Sequence, residues 1–136
     1  MVTETPGKAH AIIVAVLVRL LGNWAAERAA GQVFPSGYKV RVNKTRGIMP
    51  DVQFYRRDNP ADLREEGCVA GRPDLVVEVI SPKRRRFDRV TKLAYYAAIG
   101  VPEYWIIDPE ERTFERLLLE GGRYLSTPRS SMMRSS

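Results

Sequence analysis

The stretch PDLVVEVISPKRRRFDRVTK, residues 73–92, decides the fold of this chain. Its first half is a dense run of β-branched and leucine residues between breakers, which predicts a central strand covered on both faces. Asp74 and Glu78 interrupt this run, and because side chains alternate along a strand, both acids share one face. A carboxylate inside an apolar strand is costly unless something pairs with it. The strand therefore predicts a charged site within the core.

The elements around this strand predict an α/β fold with a mixed β-sheet flanked by helices. The strand over 73–80, a helix over 87–99 and a strand over 102–108 form a βαβ unit, which favours a parallel strand pair with a right-handed crossover. The remaining expectations are a helix over 9–30, a half-exposed strand pair over 32–35 and 38–43, a strand over 51–55, a long loop over 56–72 and a closing hairpin over 113–125.

Length and composition bound the domain organisation and the partner. The chain has 136 residues, so we expect a loose N-terminus over 1–8, a single domain over 9–125 and a disordered tail over 126–136. One cysteine, Cys68, excludes a disulfide framework within the chain and any cysteine-based zinc cluster, and it fits a cytoplasmic location. The net charge of +6 favours nucleic acid as partner. The apolar stretch 11–18 ends at Arg19, so we expect no membrane span.

Two Pro-Asp dipeptides predict a metal site. Asp51 and Asp74 each begin a predicted strand, and Glu78 lies further along the second. If the strands are neighbours, three carboxylates converge, and such a cluster is stable only around a cation. Oxygen ligands suit Mg²⁺, with Mn²⁺ as the other choice. In a basic protein this metal indicates phosphodiester chemistry.

The helix after the strand supplies a cation and two accessory groups. Asp88, Lys92 and Tyr96 are spaced four apart, so they share a helix face, and Lys92 could reach the carboxylates and a phosphate. The alternative for Asp88 and Lys92 is an exposed helix salt bridge of small energy. His10, near the start of the first helix, is either a capping or partly exposed residue or a further group of the site.

At this point the chain resembles a known family. The segments PDVQF, PDLVVEVISP and GVPEYWIIDP, with Asp88, Lys92 and Tyr96 between the last two, are similar to the Uma-type putative restriction endonuclease family of the PD-(D/E)XK nuclease superfamily. The resemblance extends from about His10 to Tyr124. It implies a restriction-endonuclease-like core and metal-dependent DNA cleavage.

The resemblance also assigns roles to individual residues. Asp51 matches the acid of the PD motif, Glu78 the acid of the (D/E)XK motif and Asp74 a second PD acid. The superfamily lysine position is Ile80 here, and Lys92 matches the family's helix lysine instead. His10 matches a histidine on the family's first helix. Family members usually carry a further segment before that helix, and its absence from this sequence puts catalytic activity in question.

Three functions stay open on the sequence. The first is a Mg²⁺-dependent DNA endonuclease in which Asp51, Asp74 and Glu78 bind metal and Lys92 assists. The second is a catalytically impaired, non-catalytic nucleic-acid-binding module, and the third an interaction protein whose acids pair with arginines. The basic run Lys83, Arg84, Arg85 and Arg86 either contacts backbone phosphates or is a solvated turn. A homodimer is also left open, because such nucleases often pair to cut both strands.

Overall fold

Within the residues that the structure describes, two α-helices flank the large sheet. The computed structural model describes residues 7–80, 88–127 and 130–131. Helix α1 spans Lys8–Arg28, and helix α2 spans Leu93–Ile99 directly after a π-helical turn at Asp88–Lys92. Helix α1 ends where Ala29 takes a left-handed conformation, with φ of 49°. Helix α2 ends at Gly100, whose φ of 83° favours glycine, as the sequence predicts.

The strands of the described residues form two sheets. They are β1 (Gly31–Pro35), β2 (Lys39–Arg41), β3 (Gly47–Ile48), β4 (Val52–Arg56), β5 (Asp62–Arg64), β6 (Gly67–Ala70), β7 (Leu75–Val79), β8 (Glu103–Asp108), β9 (Thr113–Glu120), β10 (Arg123–Ser126) and β11 (Ser130–Ser131). The large sheet has the order β1-β4-β7-β8-β9-β10, with β11 also on β9, and the small sheet has the order β3-β2-β6-β5.

Strand β7 is the centre of the large sheet, as predicted. All five of its residues are buried, and it pairs with β4 in antiparallel and with β8 in parallel orientation. Val77 and Val79 face a core that α1 covers with Ile13 and Leu17. The alternate residues of β7 face a second core beside α2, in a cluster that includes Val76, Ile80, Tyr96, Tyr104 and Ile106. The prediction of a mixed sheet flanked by helices is confirmed.

The small sheet departs from the sequence prediction. The strands expected to pair over 32–35 and 38–43 lie in different sheets, because β1 pairs with β4 whereas β2 pairs with β3 and, in parallel, with β6. The expected loop over 56–72 contains β5 and β6, which pair with each other through a register shift. These strands have two to four residues, so their alternation is too short to be recognised, and the parallel β2–β6 pair is non-local.

Two further expectations change at the ends of the chain. Ser126 belongs to β10, and Ser130 and Ser131 pair with Phe114 and Thr113, so these parts of the expected disordered tail have strand structure. Helix α1 is 21 residues long and contains an 18-residue window with a mean hydropathy of 1.6, so by length and composition alone it could cross a membrane. One such helix is weak support for a span, because core helices pass the same test. The absence of a membrane partner stays a prediction.

Candidate active site

Asp51 and Glu78 lie opposite each other at one end of the β4–β7 strand pair. The register pairs Val52 with Val77, which places Asp51, one residue before β4, across from Glu78 near the end of β7. The Val79 N–H donates to Asp51 Oδ2 at 2.7 Å. This backbone bond fixes the Asp51 carboxylate at the end of the strand pair, beside Glu78.

Glu78 is the buried acid of the pair. It is 2% exposed, and both of its carboxylate oxygens have donors: Lys92 Nζ lies 3.1 Å from Oε1, and the Tyr96 hydroxyl donates to Oε2 at 2.6 Å. Burial raises the pKa of Glu78 to about 8, and Asp51 adds to that rise, whereas the Lys92 ammonium opposes it. The site is therefore arranged around a carboxylate that needs positive charge nearby to ionise.

The start of α2 brings Lys92 and Tyr96 to Glu78. These two residues are four apart, so they project from the same side of the helical segment onto the end of β7. Tyr96 is fully buried, and burial raises its pKa well above the ordinary value. The phenol therefore stays protonated and donates a hydrogen bond. The geometric prediction that Lys92 reaches Glu78 is confirmed. The side chain of Asp88 lies outside the described residues, and Val90, an apolar residue of the helix predicted over 87–99, is 64% exposed.

His10 connects α1 to the same place. Its Nε2 lies 3.3 Å from Asp51 Oδ2, and the side chains of both residues are largely buried. The N-cap position of α1 is Gly7, so His10 does not cap the helix, although its side chain is partly exposed, at 15%. The histidine touches the acid that the sequence proposed for the site, and its role beyond this contact stays a prediction.

Asp74 does not join the pair. It shares a face with Glu78 as predicted, but four residues of extended strand separate them by about 13 Å. Asp74 Oδ2 instead accepts hydrogen bonds from the Arg56 N–H at 2.7 Å and the Asn59 side-chain amide at 2.8 Å. Because β4 and β7 are antiparallel, the start of one strand meets the end of the other. The prediction that all three carboxylates share an ion is therefore wrong for Asp74.

The basic run and the metal ligands are two further parts of the predicted site. Lys83, Arg84, Arg85 and Arg86 lie outside the described residues. Within 7–80, 88–127 and 130–131, no group of three His, Cys, Asp or Glu side chains is close enough to hold one ion. The donor set for a cation is thus the two carboxylates of Asp51 and Glu78. Mg²⁺ commonly uses one or two protein carboxylates and takes waters or phosphate oxygens for its other positions, so the pair fits this ion.

One buried polar group near the site was missed from the sequence. Gln53 is fully buried on β4, where its Nε2 donates to the Tyr38 carbonyl at 2.8 Å and its Oε1 accepts from the Tyr55 hydroxyl at 2.6 Å. Gln53 lies two residues after Asp51, on the same side of the sheet, and its bond to Tyr38 ties the small sheet to the strand of the site. The signal was a polar residue inside the apolar run VQFY.

Comparison with known proteins agrees with this architecture. The chain is similar to the crystal structure of a putative nuclease belonging to DUF820 from Anabaena variabilis ATCC 29413, with a TM-score of 0.72 and 17% identity over 93% of this chain and 70% of the other. At this identity the similarity establishes the fold, and it confirms the predicted nuclease-like core. No curated protein matches the chain. The model of the Uma2 family, described as putative restriction endonuclease, matches residues 1–133, and the chain therefore belongs to the Uma2 family.

Proposed function

We propose that this protein is a Mg²⁺-dependent DNA endonuclease whose site is formed by Asp51, Glu78 and Lys92. The observation that carries the proposal is the buried Glu78 carboxylate, paired across the strands with Asp51 and contacted by the Lys92 ammonium at 3.1 Å. A structural salt bridge would not need a second acid beside it. The family and the basic net charge of +6 support DNA as the substrate.

The two carboxylates have capacity for a cation. Asp51 Oδ2 receives the Val79 N–H and the His10 contact, while its Oδ1 has no hydrogen bond within the described part of the chain. Each carboxylate oxygen has two lone-pair directions, so one donor on each Glu78 oxygen leaves acceptor capacity. When bound here, Mg²⁺ would supply Lewis-acid polarisation of a phosphoryl oxygen and acidify a water. Mn²⁺ fits the same oxygen donors.

The protein side chains then have separate tasks. Lys92 is the cation placed to steady negative charge that develops on the scissile phosphate, a contact that can be worth roughly 10²–10³ in rate. Tyr96 holds one Glu78 oxygen in place, and the Val79 N–H holds Asp51. The half-buried His10 beside Asp51 is placed to hold or move a proton at that carboxylate. Only Lys92 of these groups is proposed to contact the phosphate.

A plasmid assay tests this proposal. Supercoiled DNA is incubated with the protein in Mg²⁺, in Mn²⁺ and in excess chelator, and nicked and linear products are quantified. The matched control is Glu78→Gln, which keeps the side-chain shape and removes the charge. We expect cleavage by the wild type with either ion, and none with chelator or with the variant. Cleavage by Glu78→Gln at the wild-type rate, or cleavage that is indifferent to chelator, contradicts the proposal.

A second candidate is a non-catalytic nucleic-acid-binding module. The separation of Asp74 from the pair favours it, because the site then has two carboxylates where the sequence predicted three. Salt-sensitive DNA binding without cleavage in either ion would support this alternative. A cytoplasmic location belongs to both proposals and is supported by the buried free thiol of Cys68.

A further inference from the structure

A cationic depression lies at the end of α2 that is remote from Glu78. Its volume is about 680 Å³, and its charged lining residues are Arg41, Lys44 and Arg72. No acidic side chain is among the described residues that line it. Gly71 and Gly100 complete the rim, both at positive φ, and contribute no side chain that would fill it. Three cations thus line this open space, and no described residue of the lining carries a negative charge.

The local structure holds these cations in place. The turn after β2 is closed by the Val42 N–H, which donates to the Arg46 carbonyl at 2.9 Å, and the Arg41 Nη1 donates to the Lys44 carbonyl at 3.3 Å. Arg72 Nε donates to the Gly100 carbonyl at 2.6 Å, which fixes the guanidinium at the end of α2. Within the described chain, none of the three cations forms an ion pair with a carboxylate.

The charge of this region is uneven along the sequence. Residues 31–50 contain four lysines and arginines and no aspartate or glutamate. The acids of the small sheet lie elsewhere: Asp62 on β5 pairs with Arg64 at 3.0 Å, and Glu65 and Glu66 follow in the β5–β6 turn. The positive field of the depression is therefore not cancelled by its own sheet.

The depression and the carboxylate pair lie on the same side of the large sheet. Arg46 of the same turn lies over the Tyr95 ring at 5.5 Å, and Tyr95 precedes the Tyr96 that holds Glu78. Along α2, Lys92 and Gly100 are about 12 Å apart at 1.5 Å per residue. Along the strand, Arg72 and Glu78 are about 20 Å apart at 3.3 Å per residue. A duplex lying along α2 would cover both places.

We infer that the cationic depression binds phosphates of the DNA backbone about four to six base pairs from the cleaved bond, given 3.4 Å of helix axis per base pair. This inference rests on the proposed endonuclease function. Planar guanidinium groups and an ammonium are the side chains that phosphate oxygens prefer, and they carry no base readout. The depression therefore positions the duplex on the carboxylate pair without setting its sequence.

The test compares two double variants with the same loss of charge. Arg41→Gln/Lys44→Gln alters the depression, whereas Arg19→Gln/Arg28→Gln removes two exposed cations from α1, which covers the opposite face of the large sheet. Affinity for a duplex of about 20 base pairs is measured by fluorescence anisotropy in chelator over a salt series. We expect the depression variant to lower the slope of log affinity against log salt by about 1.8, or 0.9 per lost phosphate contact, and the control to leave it nearly unchanged.

Cleavage in Mg²⁺ by the same wild-type preparation separates the two proposals. If the wild type cleaves DNA and both variants have the same slope of log affinity against log salt, the proposed phosphate binding by the depression is wrong and the endonuclease proposal stands. A lowered slope without cleavage supports the depression as a DNA site and contradicts the endonuclease. If the wild type binds no duplex, the proposed phosphate binding by the depression is wrong. Circular dichroism of both variants tests whether they are folded, so that a change of slope reports phosphate contact.

Discussion

Glu78→Gln should be more stable than the wild type, by a margin that grows as the pH rises. The same substitution removes the proposed activity. Glutamine can accept from Lys92 Nζ with its oxygen and donate to the Tyr96 oxygen with its amide, so both native contacts have counterparts. The substitution removes a buried acid. Burial raises the pKa of this acid to about 8. The variant therefore isolates the cost of ionising this carboxylate inside the fold.

The magnitude follows from proton linkage. In the unfolded chain the carboxyl titrates near 4.5, and in the folded protein near 8, so between these values only the folded state holds the proton. The unfolded state binds fewer protons, and the wild-type free energy of unfolding falls with pH by about 1.4 kcal/mol per unit across this window. The stabilisation that the protonated Glu78 carboxyl contributes is fully present below pH 4.5 and is lost as the pH rises above about 8. Glu78→Gln lacks this titrating carboxyl. The difference between its free energy of unfolding and that of the wild type should therefore grow by a few kcal/mol across this pH window.

The assay is urea unfolding without divalent ions, followed by the fluorescence of Trp24 and Trp105, from about pH 5 to about pH 9. Glu120→Gln is the control, because it removes an exposed acid on β9. We expect the wild type and Glu120→Gln to lose stability together while Glu78→Gln diverges from both. Mg²⁺ should restore wild-type stability at high pH and leave Glu78→Gln unchanged. Parallel pH profiles for the wild type and Glu78→Gln would show that burial does not raise the pKa of Glu78.

Three further substitutions test separate contacts. Lys92→Ala should slow single-turnover cleavage by roughly 10²–10³ with duplex affinity almost unchanged, and wild-type rates would contradict its contact with the phosphate. Tyr96→Phe leaves Glu78 Oε2 without its hydroxyl donor, so the free energy of unfolding at neutral pH should fall by about 1–3 kcal/mol, whereas an unchanged value would show the bond contributes nothing. Gly31→Ala places a Cβ within 2.0 Å of the Tyr55 carbonyl oxygen, so β1 should separate from β4, and a wild-type thermal midpoint would exclude this clash.

The sequence predicts the large sheet well because its signals are local. The apolar run of β7, the breaker at Gly100 and the second apolar run of β8 each lie within a few residues, and a parallel pair with a helix between them follows from connection rules. The small sheet depends on pairing between β2 and β6, which are far apart in the chain and short. The alternation over 38–43 predicts a strand at β2 but not its partner, and nothing in residues 67–70 separates a four-residue strand from a loop.

The site shows the same division between local and non-local information. The spacing of Lys92 and Tyr96 identifies two groups on one helix face, and both contact Glu78. For Asp74, the sequence correctly predicts the face of the strand, but it does not predict which end of β7 lies beside Asp51. The antiparallel register of β4 and β7 decides that Asp51, and not Asp74, meets Glu78. Such a register cannot be derived from either strand alone.

The most direct measurement compares Asp51→Asn with Asp74→Asn in single-turnover cleavage of a labelled duplex with Mg²⁺. Each asparagine keeps an oxygen for the native N–H donors, from Val79 in one case and from Arg56 and Asn59 in the other, so both variants should fold. We expect Asp51→Asn to lose about 10²-fold or more in rate, and Asp74→Asn to stay within about threefold of the wild type. An equal or larger loss for Asp74→Asn would contradict the pairing of Asp51 with Glu78 as the catalytic centre.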